Sequence, residues 1–374
     1  MAMELEQIYQ KALALTPLSR DEGVALWYSA PLDELMATAH QVRLLHNPEP
    51  VVTWQIDRNI NITNVCSSAC LFCSFHAGAG VLKPFTTTLE EYRSKIGELL
   101  ALGGDQVLLQ GGLHPKYGLA FYTNLFRALK AEFPAVKLHA LGPAEVLHIA
   151  RLEGISVEAT LLALREAGLD SLPGAGAEIL VQRVRDIVSP KKASVDEWVE
   201  VMRIAHRLGL LTSATMMYGQ VETVEERIQH LLVIRDLQDA KPEGSVGFLA
   251  FIPWPCMLGN TKLQGRSDVQ PATGVEHLRM VAIARLMLHN IRHVQASWLT
   301  VGRDIGTLSL WAGADDMGSI MIEENVVASA GAQNRMDAEG MQRAIRAAGF
   351  TPQLRDQGYH WRTISLGEPR GRKS

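Results

Sequence analysis

Trp54-Gln55-Ile56-Asp57-Arg58-Asn59-Ile60-Asn61-Ile62-Thr63-Asn64-Val65-Cys66-Ser67-Ser68-Ala69-Cys70-Leu71-Phe72-Cys73 runs from a β-like stretch straight into a loop holding three of the chain's four cysteines. The spacing is C-x3-C-x2-C, with aromatic Phe72 just before the last thiol. Three thiolates can hold three corners of an iron–sulfur cube and leave the fourth iron without a protein ligand. An open coordination position points to chemistry, because closed sites serve structure. Cys66, Cys70, Cys73 and His76 could also form a Cys3His zinc site, although the spacing is more crowded than the usual paired CxxC pattern. Clustered thiols in a chain this poor in cysteine argue for a metal site in a reducing compartment and against a disulfide framework. Cys256 stands alone and reads as a small buried hydrophobe.

Downstream of the loop, β-like runs alternate with amphipathic helices. Candidate strands are Gln55–Thr63, Gln106–Gln110, Val136–Leu141, Ser171–Leu172, Leu211–Tyr218, Val246–Ile252 and His293–Trp298, with a weaker one at Ser319–Ile322. Thr88 with Glu91, Ser194 with Glu197 and Thr223 with Glu226 each have a hydroxyl three residues before a glutamate, the pattern of a capping box at a helix start. Gly103, Gly168 and Gly209 follow helical runs, where a left-handed residue ends a helix. Repeated strand–helix units favour a parallel sheet wrapped by helices. The expected fold is α/β, a (β/α)8 TIM-type barrel, with an open doubly wound sheet as the alternative. Residues 1–50 read as an N-terminal helical extension, 51–330 as the barrel, and 331–374 as a C-terminal helix and tail packing on it. A barrel of this class can form one domain of roughly 250 residues or more.

Composition narrows the function. The net charge of −4 carries no basic stripe for nucleic acid. The Lys/Arg-rich end, Arg370 to Lys373, reads as a frayed terminus. The most apolar run, Val246 to Leu258, is broken by Pro253 and Pro255 and is far short of the roughly 20 residues that span a bilayer. The start, Met-Ala-Met-Glu-Leu-Glu, has no basic and then apolar stretch of the signal-peptide kind. A cytoplasmic protein is expected.

The cysteine loop resembles the CxxxCxΦC signature of the radical S-adenosylmethionine (radical SAM) superfamily, with Phe72 as the aromatic Φ. The resemblance implies that Cys66, Cys70 and Cys73 bind a [4Fe-4S] cluster and that S-adenosylmethionine chelates the fourth iron. One electron then cleaves the sulfonium to a 5′-deoxyadenosyl radical. Gln110-Gly111-Gly112-Leu113-His114-Pro115 follows a strand, where the superfamily has a Gly-Gly-Glu segment for the methionine amino group; here Leu113 replaces the glutamate. Leu172-Pro173-Gly174-Ala175-Gly176-Ala177-Glu178 precedes a helix expected at Ile179–Val188. Glu178 reads either as a first-turn carboxylate favoured by the helix dipole or as an acceptor for the ribose hydroxyls of the cofactor.

Residues 50–360 are similar to the futalosine-route enzymes of menaquinone biosynthesis, and within them to the cyclic dehypoxanthinylfutalosine synthase (dehypoxanthine futalosine cyclase) family. Aminofutalosine synthases and deazaflavin-cofactor synthases share much of the pattern. The Pro253-Trp254 pair and Ala296-Ser297-Trp298 favour the cyclases. Gln220 stands where these families have histidine, and Cys256 and Leu258 where an aromatic residue and proline are expected. The resemblance implies oxidative cyclisation of dehypoxanthine futalosine after removal of the ribose C4′ hydrogen, with reduced flavodoxin or ferredoxin as electron donor. His114, Tyr218 and Glu222 are then candidates for proton removal. Trp254, Trp298, Arg285 and Glu324 are candidates for substrate binding, and Phe72, Gln110, Gly111, Gly112 and Glu178 for holding the cofactor.

Overall fold

A computed structural model describes residues 2–363. The basic end from Arg370 to Lys373 and the last part of the expected tail lie outside the described residues. Three helices, Ala2–Leu13, Arg20–Ser29 and Leu32–His46, open the chain. The second starts at a capping box between Ser19 and Glu22. It presses close to the barrel's outer helices at Gly23, where a Cβ would lie 2.6 Å from Met287 Sδ and 2.9 Å from Ile228 Cγ2. A Cβ there would require Met287 and Ile228 to shift.

Ten strands follow: β1 Val51–Gln55, β2 Asp57–Asn59, β3 Gln106–Leu109, β4 Lys137–Ala140, β5 Ser171–Leu172, β6 Leu211–Tyr218, β7 Phe248–Pro255, β8 His293–Val294, β9 Asp316–Ser319 and β10 Thr351–Leu354. β2 to β8 pair in chain order, all parallel. β1 runs through Ile56 into β2 and pairs with β9 and β10. Gln295 bridges to Asp316 and Ala296 N–H donates to Asp316 O at 2.9 Å, so hydrogen bonds join the end of β8 to β9. The ladder therefore runs round a ring from β1/β2 to β9 and back to β1. Helices cover its outside, as alternating strand–helix units require.

The three capping boxes read from the sequence are present, and Thr273 with Glu276 makes another. Gly103, Gly168 and Gly209 all have positive φ. Strand limits differ from expectation in several places, among them the run expected at Ser319–Ile322, where the strand is Asp316–Ser319. The first strand starts at Val51 and its regular pairing ends at Asn59, although Ile60 and Ile62 still donate to Leu108 and Gln110. β7 runs on through Pro253 and Pro255. Cys256 N–H faces β6, where it donates to Tyr218 O, so the two prolines face β8, which has already ended at Val294. A missing N–H costs nothing on a side with no ladder partner. Trp298 starts a short helix, Trp298–Val301, instead of ending a strand. β10 was not expected, because its four residues include Pro352 and show no clean alternation.

A buried ionic seam ties β1, β8, β9 and β10 together. Arg355 grips Asp316 at 2.5 and 3.1 Å and donates to Gln55 Oε1 at 2.9 Å. Asp315 takes Arg285 at 2.6 Å, His293 at 2.5 Å and Asn47 at 2.9 Å. Burial alone would raise the Asp315 carboxyl, but His293 and Arg285 outweigh it and hold it well below the usual carboxylate range.

Candidate active site

The C-terminal ends of the strands surround a chamber of about 330 Å³, the end of such a barrel where chemistry is placed. The cysteine loop, the Gly-Gly turn after β3, the start of the helix after β4, the loop after β5, and Trp254 on β7 all line it. Val326, Val327 and Ala330 of the segment after β9 close one side.

The cysteine loop is held by its own backbone and by its neighbours. Cys66 Sγ accepts N–H groups from Ser68 at 3.4 Å and Leu113 at 3.3 Å, and Ser68 Oγ lies 3.1 Å from Cys70 Sγ. The Ser68 hydroxyl favours the Cys70 thiolate, the form that a metal requires. Burial pushes the Cys70 thiol up to about 11 and raises Cys73 too, so these groups carry protons until a metal displaces them.

Gly112 lets the turn after β3 press onto this loop. A Cβ there would lie 2.3 Å from Val65 O and 2.8 Å from Cys66 Cβ. Gly112→Ala should therefore displace Cys66. We expect a loss of about 1–3 kcal/mol from overpacking and iron content well below wild type, both read on anaerobically reconstituted protein. Full iron at unchanged stability would remove Gly112 from the support of the loop.

Glu178 sits before the helix, which begins at Gln182, with φ of 42°. It is buried and paired to Lys192 at 2.8 Å and Arg185 at 3.3 Å. Burial would raise its carboxyl, but Lys192 and Arg185 outweigh that and lower it. The Lys192 ammonium also lies 5.3 Å over the Phe72 ring. A first-turn dipole role is thus excluded by position, and the carboxylate faces the chamber.

Of the residues picked from the sequence, Cys66, Cys70, Cys73, Phe72, Gln110, Gly111, Gly112, Glu178 and Trp254 come together on the chamber. Six others do not line it. His114 stacks on Tyr117 at 3.6 Å and accepts Lys116 N–H. Tyr218 is buried with its hydroxyl 2.6 Å from His277 Nδ1. Glu222 accepts the N–H groups of Gly219 and Gln220 and pairs with Arg227 at 2.8 Å, which ties down the turn after β6. Arg285 donates to carbonyls of Gly313 and Arg292 and to Asp315, in the ionic seam at the other end of the strands. Trp298 donates to Ser319 O at 3.0 Å. Glu324 accepts from Asn59 at 2.6 Å and from Val326 N–H at 2.7 Å, bracing the chamber wall from behind. Gln220 is buried in the turn after β6, where its amide donates to Met217 O. Cys256 is buried, with its thiol pushed up to about 12.

Sequence reasoning passed over Glu145, Lys192, His139 and the amides Asn61 and Asn64, all on the chamber. Glu145 carried a usable signal: a carboxylate in the first turn of a helix that follows a barrel strand. The others become visible only through contacts between distant segments.

Two family models match. The radical SAM superfamily covers residues 60–234, and the CofH/MqnC C-terminal region covers 245–367. The chain belongs to the radical SAM superfamily, in the branch that carries the CofH/MqnC C-terminal region. It is 45% identical to a cyclic dehypoxanthine futalosine synthase of Streptomyces coelicolor, over 95% of this chain and 88% of that one. It is 38% identical to a 5-amino-6-(D-ribitylamino)uracil–L-tyrosine 4-hydroxyphenyl transferase of Methanococcoides burtonii, over 91% and 95% of the two chains. In fold it resembles methylornithine synthase (PylB), with a TM-score of 0.73 at 20% identity, covering 94% of this chain and 98% of that one. The chain is therefore an enzyme, and its family implies a [4Fe-4S] cluster and S-adenosylmethionine. The donor types fit: three thiols on one loop, Cys70 buried and Cys66 and Cys73 half-buried, with a Gly-Gly turn held against them.

Proposed function

We propose that the protein is a cyclic dehypoxanthine futalosine synthase that converts dehypoxanthine futalosine to its cyclic product in menaquinone biosynthesis. The observation that carries this is the 45% identity to the Streptomyces coelicolor enzyme over nearly the whole chain. When bound, the cluster and S-adenosylmethionine supply a 5′-deoxyadenosyl radical that takes the hydrogen atom from C4′ of the substrate ribose. The chain's residues hold and shield that event. Cys66, Cys70 and Cys73 would hold three irons. Phe72, Gln110, Gly111, Gly112 and Glu178 would seat the cofactor, with Lys192 keeping Glu178 ionised. Trp254 would pack its face on the substrate's aromatic ring, while Met217, Ile252, Met257, Val326 and Val327 would exclude water. Reduced flavodoxin or ferredoxin in the cytoplasm would supply the electron. Among the described residues no helix is long and apolar enough to cross a membrane.

The cyclisation removes the C4′ hydrogen atom, one ring proton and one electron, and adds nothing. Anaerobic incubation with dehypoxanthine futalosine, S-adenosylmethionine and a reductant should yield 5′-deoxyadenosine and a product lighter than the substrate by two hydrogens. The likeness to the archaeal 4-hydroxyphenyl transferase supports a second reading, so tyrosine with 5-amino-6-(D-ribitylamino)uracil is the control pair. Turnover of that pair, with dehypoxanthine futalosine left intact, would reverse the assignment.

A further inference from the structure

The segments around the cysteine loop are charged unlike the chain as a whole. The chain has 40 acids against 36 lysines and arginines. Residues 74–87, 113–118, 189–194 and 257–266 hold Lys83, Lys116, Lys191, Lys192, Lys262 and Arg266, and no acid at all. Lys192 is committed inward to Glu178, and Arg266 is paired with Asp268. Lys83, Lys116, Lys191 and Lys262 are exposed, and among the described residues no acid pairs with any of them.

Hydrogen bonds gather these segments around the one loop. Leu71 N–H donates to Val188 O at 2.8 Å, and Lys262 N–H donates to Leu71 O at 2.9 Å, so Leu71 is held by the segments that carry Lys191 and Lys262. Ser67 N–H donates to Leu113 O at 3.0 Å, three residues before Lys116. The Asn64 side-chain amide donates to Lys83 O at 2.9 Å. The Tyr117 hydroxyl lies 2.9 Å from Thr86 Oγ1 and ties the Lys116 segment to that of Lys83. His114 and Phe121 both stack on the Tyr117 ring, at 3.6 and 3.9 Å. Inside this rim Ser67 is exposed and Cys66 and Cys73 are only half-buried, so the loop reaches the surface.

Lysines left unpaired on one rim repel one another and gain most from an acidic partner. We propose that this face docks an acidic protein that carries one electron at a time, with Lys83, Lys116, Lys191 and Lys262 steering it onto the cysteine loop. The inference rests on the radical SAM reading, which requires an electron from outside the chain. One electron passes from the carrier to the cluster, leaves the carrier oxidised by one electron, and is consumed in cleaving the sulfonium. A carrier whose redox group is enclosed in protein must be turned towards the loop before transfer, and complementary charge orients it and speeds encounter. The face also gives a place to His114, which lies off the chamber. Stacked with Tyr117 and Phe121, it supplies aromatic contact at the edge of the charged rim, as protein interfaces favour.

The test uses cluster-loaded protein without oxygen, with flavodoxin as the acidic carrier and reduced methyl viologen as a small cationic reductant. Lys83→Glu with Lys262→Glu should raise the Kd for oxidised flavodoxin about 10-fold or more at low salt. The rate at which reduced flavodoxin bleaches the cluster absorption should fall to a similar degree, and the rate with methyl viologen should not fall. Lys241→Glu, between helix Val224–Asp239 and β7 at the opposite end of the strands, should change neither. Raising salt from about 0.05 to about 0.5 M should weaken the wild-type complex and narrow its gap to the double variant, because the screening length shortens. Lys116→Glu with Lys191→Glu repeats the test should the first pair lose iron. Unchanged flavodoxin binding in these variants, an equal loss in Lys241→Glu, or a wild type that methyl viologen reduces and flavodoxin does not bind would each overturn the proposal. So would loss of binding to phosphatidylglycerol vesicles with flavodoxin binding intact, which would assign the face to a membrane. A wild type that takes up no iron–sulfur cluster would instead defeat the radical SAM reading on which the inference stands.

Discussion

Cys70→Ala should give a protein that folds, stays nearly colourless after anaerobic reconstitution, and forms no detectable 5′-deoxyadenosine. Cys70 is 4% exposed and close to Ser68 Oγ, and on the proposed reading each thiol of the loop would hold a separate corner. Removing one leaves two protein ligands for a cluster that already has one open iron. The loss should exceed the roughly 10–100-fold seen when only a supporting partner of a metal ligand is removed. Cys256→Ala is the matched control. That thiol lies off the chamber lining, and its truncation should leave iron content intact. Iron and sulfide analysis with a 5′-deoxyadenosine assay separates the two. Equal iron in Cys70→Ala and wild type would sink the ligand assignment.

Arg355→Met should lower the unfolding free energy by about 3–5 kcal/mol, the cost of leaving a buried charge without its partner. Asp316 is fully buried, and its remaining contacts are Thr53 Oγ1 at 2.5 Å and Gly318 N–H at 2.7 Å. Gln55 Oε1 would lose its donor as well. Replacing both partners, as Arg355→Met with Asp316→Leu, should recover much of the loss, because no unpaired charge is left behind. Denaturant titration reads both effects. A loss below about 1 kcal/mol, the range of exposed ion pairs, would mean that the seam does not hold the ring closed.

The pair Trp254 and Trp298 illustrates how far sequence reasoning reaches into the site. Both are aromatic residues near the ends of late strands, and the sequence treats them alike. Trp254 falls on a position of β7 that points into the barrel. Trp298 comes after β8 has ended, and its indole N–H turns to Ser319. Glu222 is similar: the sequence places it just past β6, but its carboxylate caps the turn instead of facing ligand. Arg285 is a still larger displacement. A charged residue on a barrel helix can serve either end of the barrel, and only its partners, Gly313, Arg292 and Asp315, tell which.

The sequence by itself determined what is local. The spacing of Cys66, Cys70 and Cys73 points to the proposed cluster, because three thiols on eight residues must share one loop. The capping boxes and the strand–helix alternation carry the barrel, because both depend on residues only a few positions apart. The tertiary structure alone decided what is distant. It set Glu145 against Gly111, Lys192 between Glu178 and Phe72, and β10 beside β1. Each of those contacts joins segments whose spacing along the chain has no fixed relation to their distance in space. Their positions follow from ring closure and from the burial of charge, which act on the whole molecule at once.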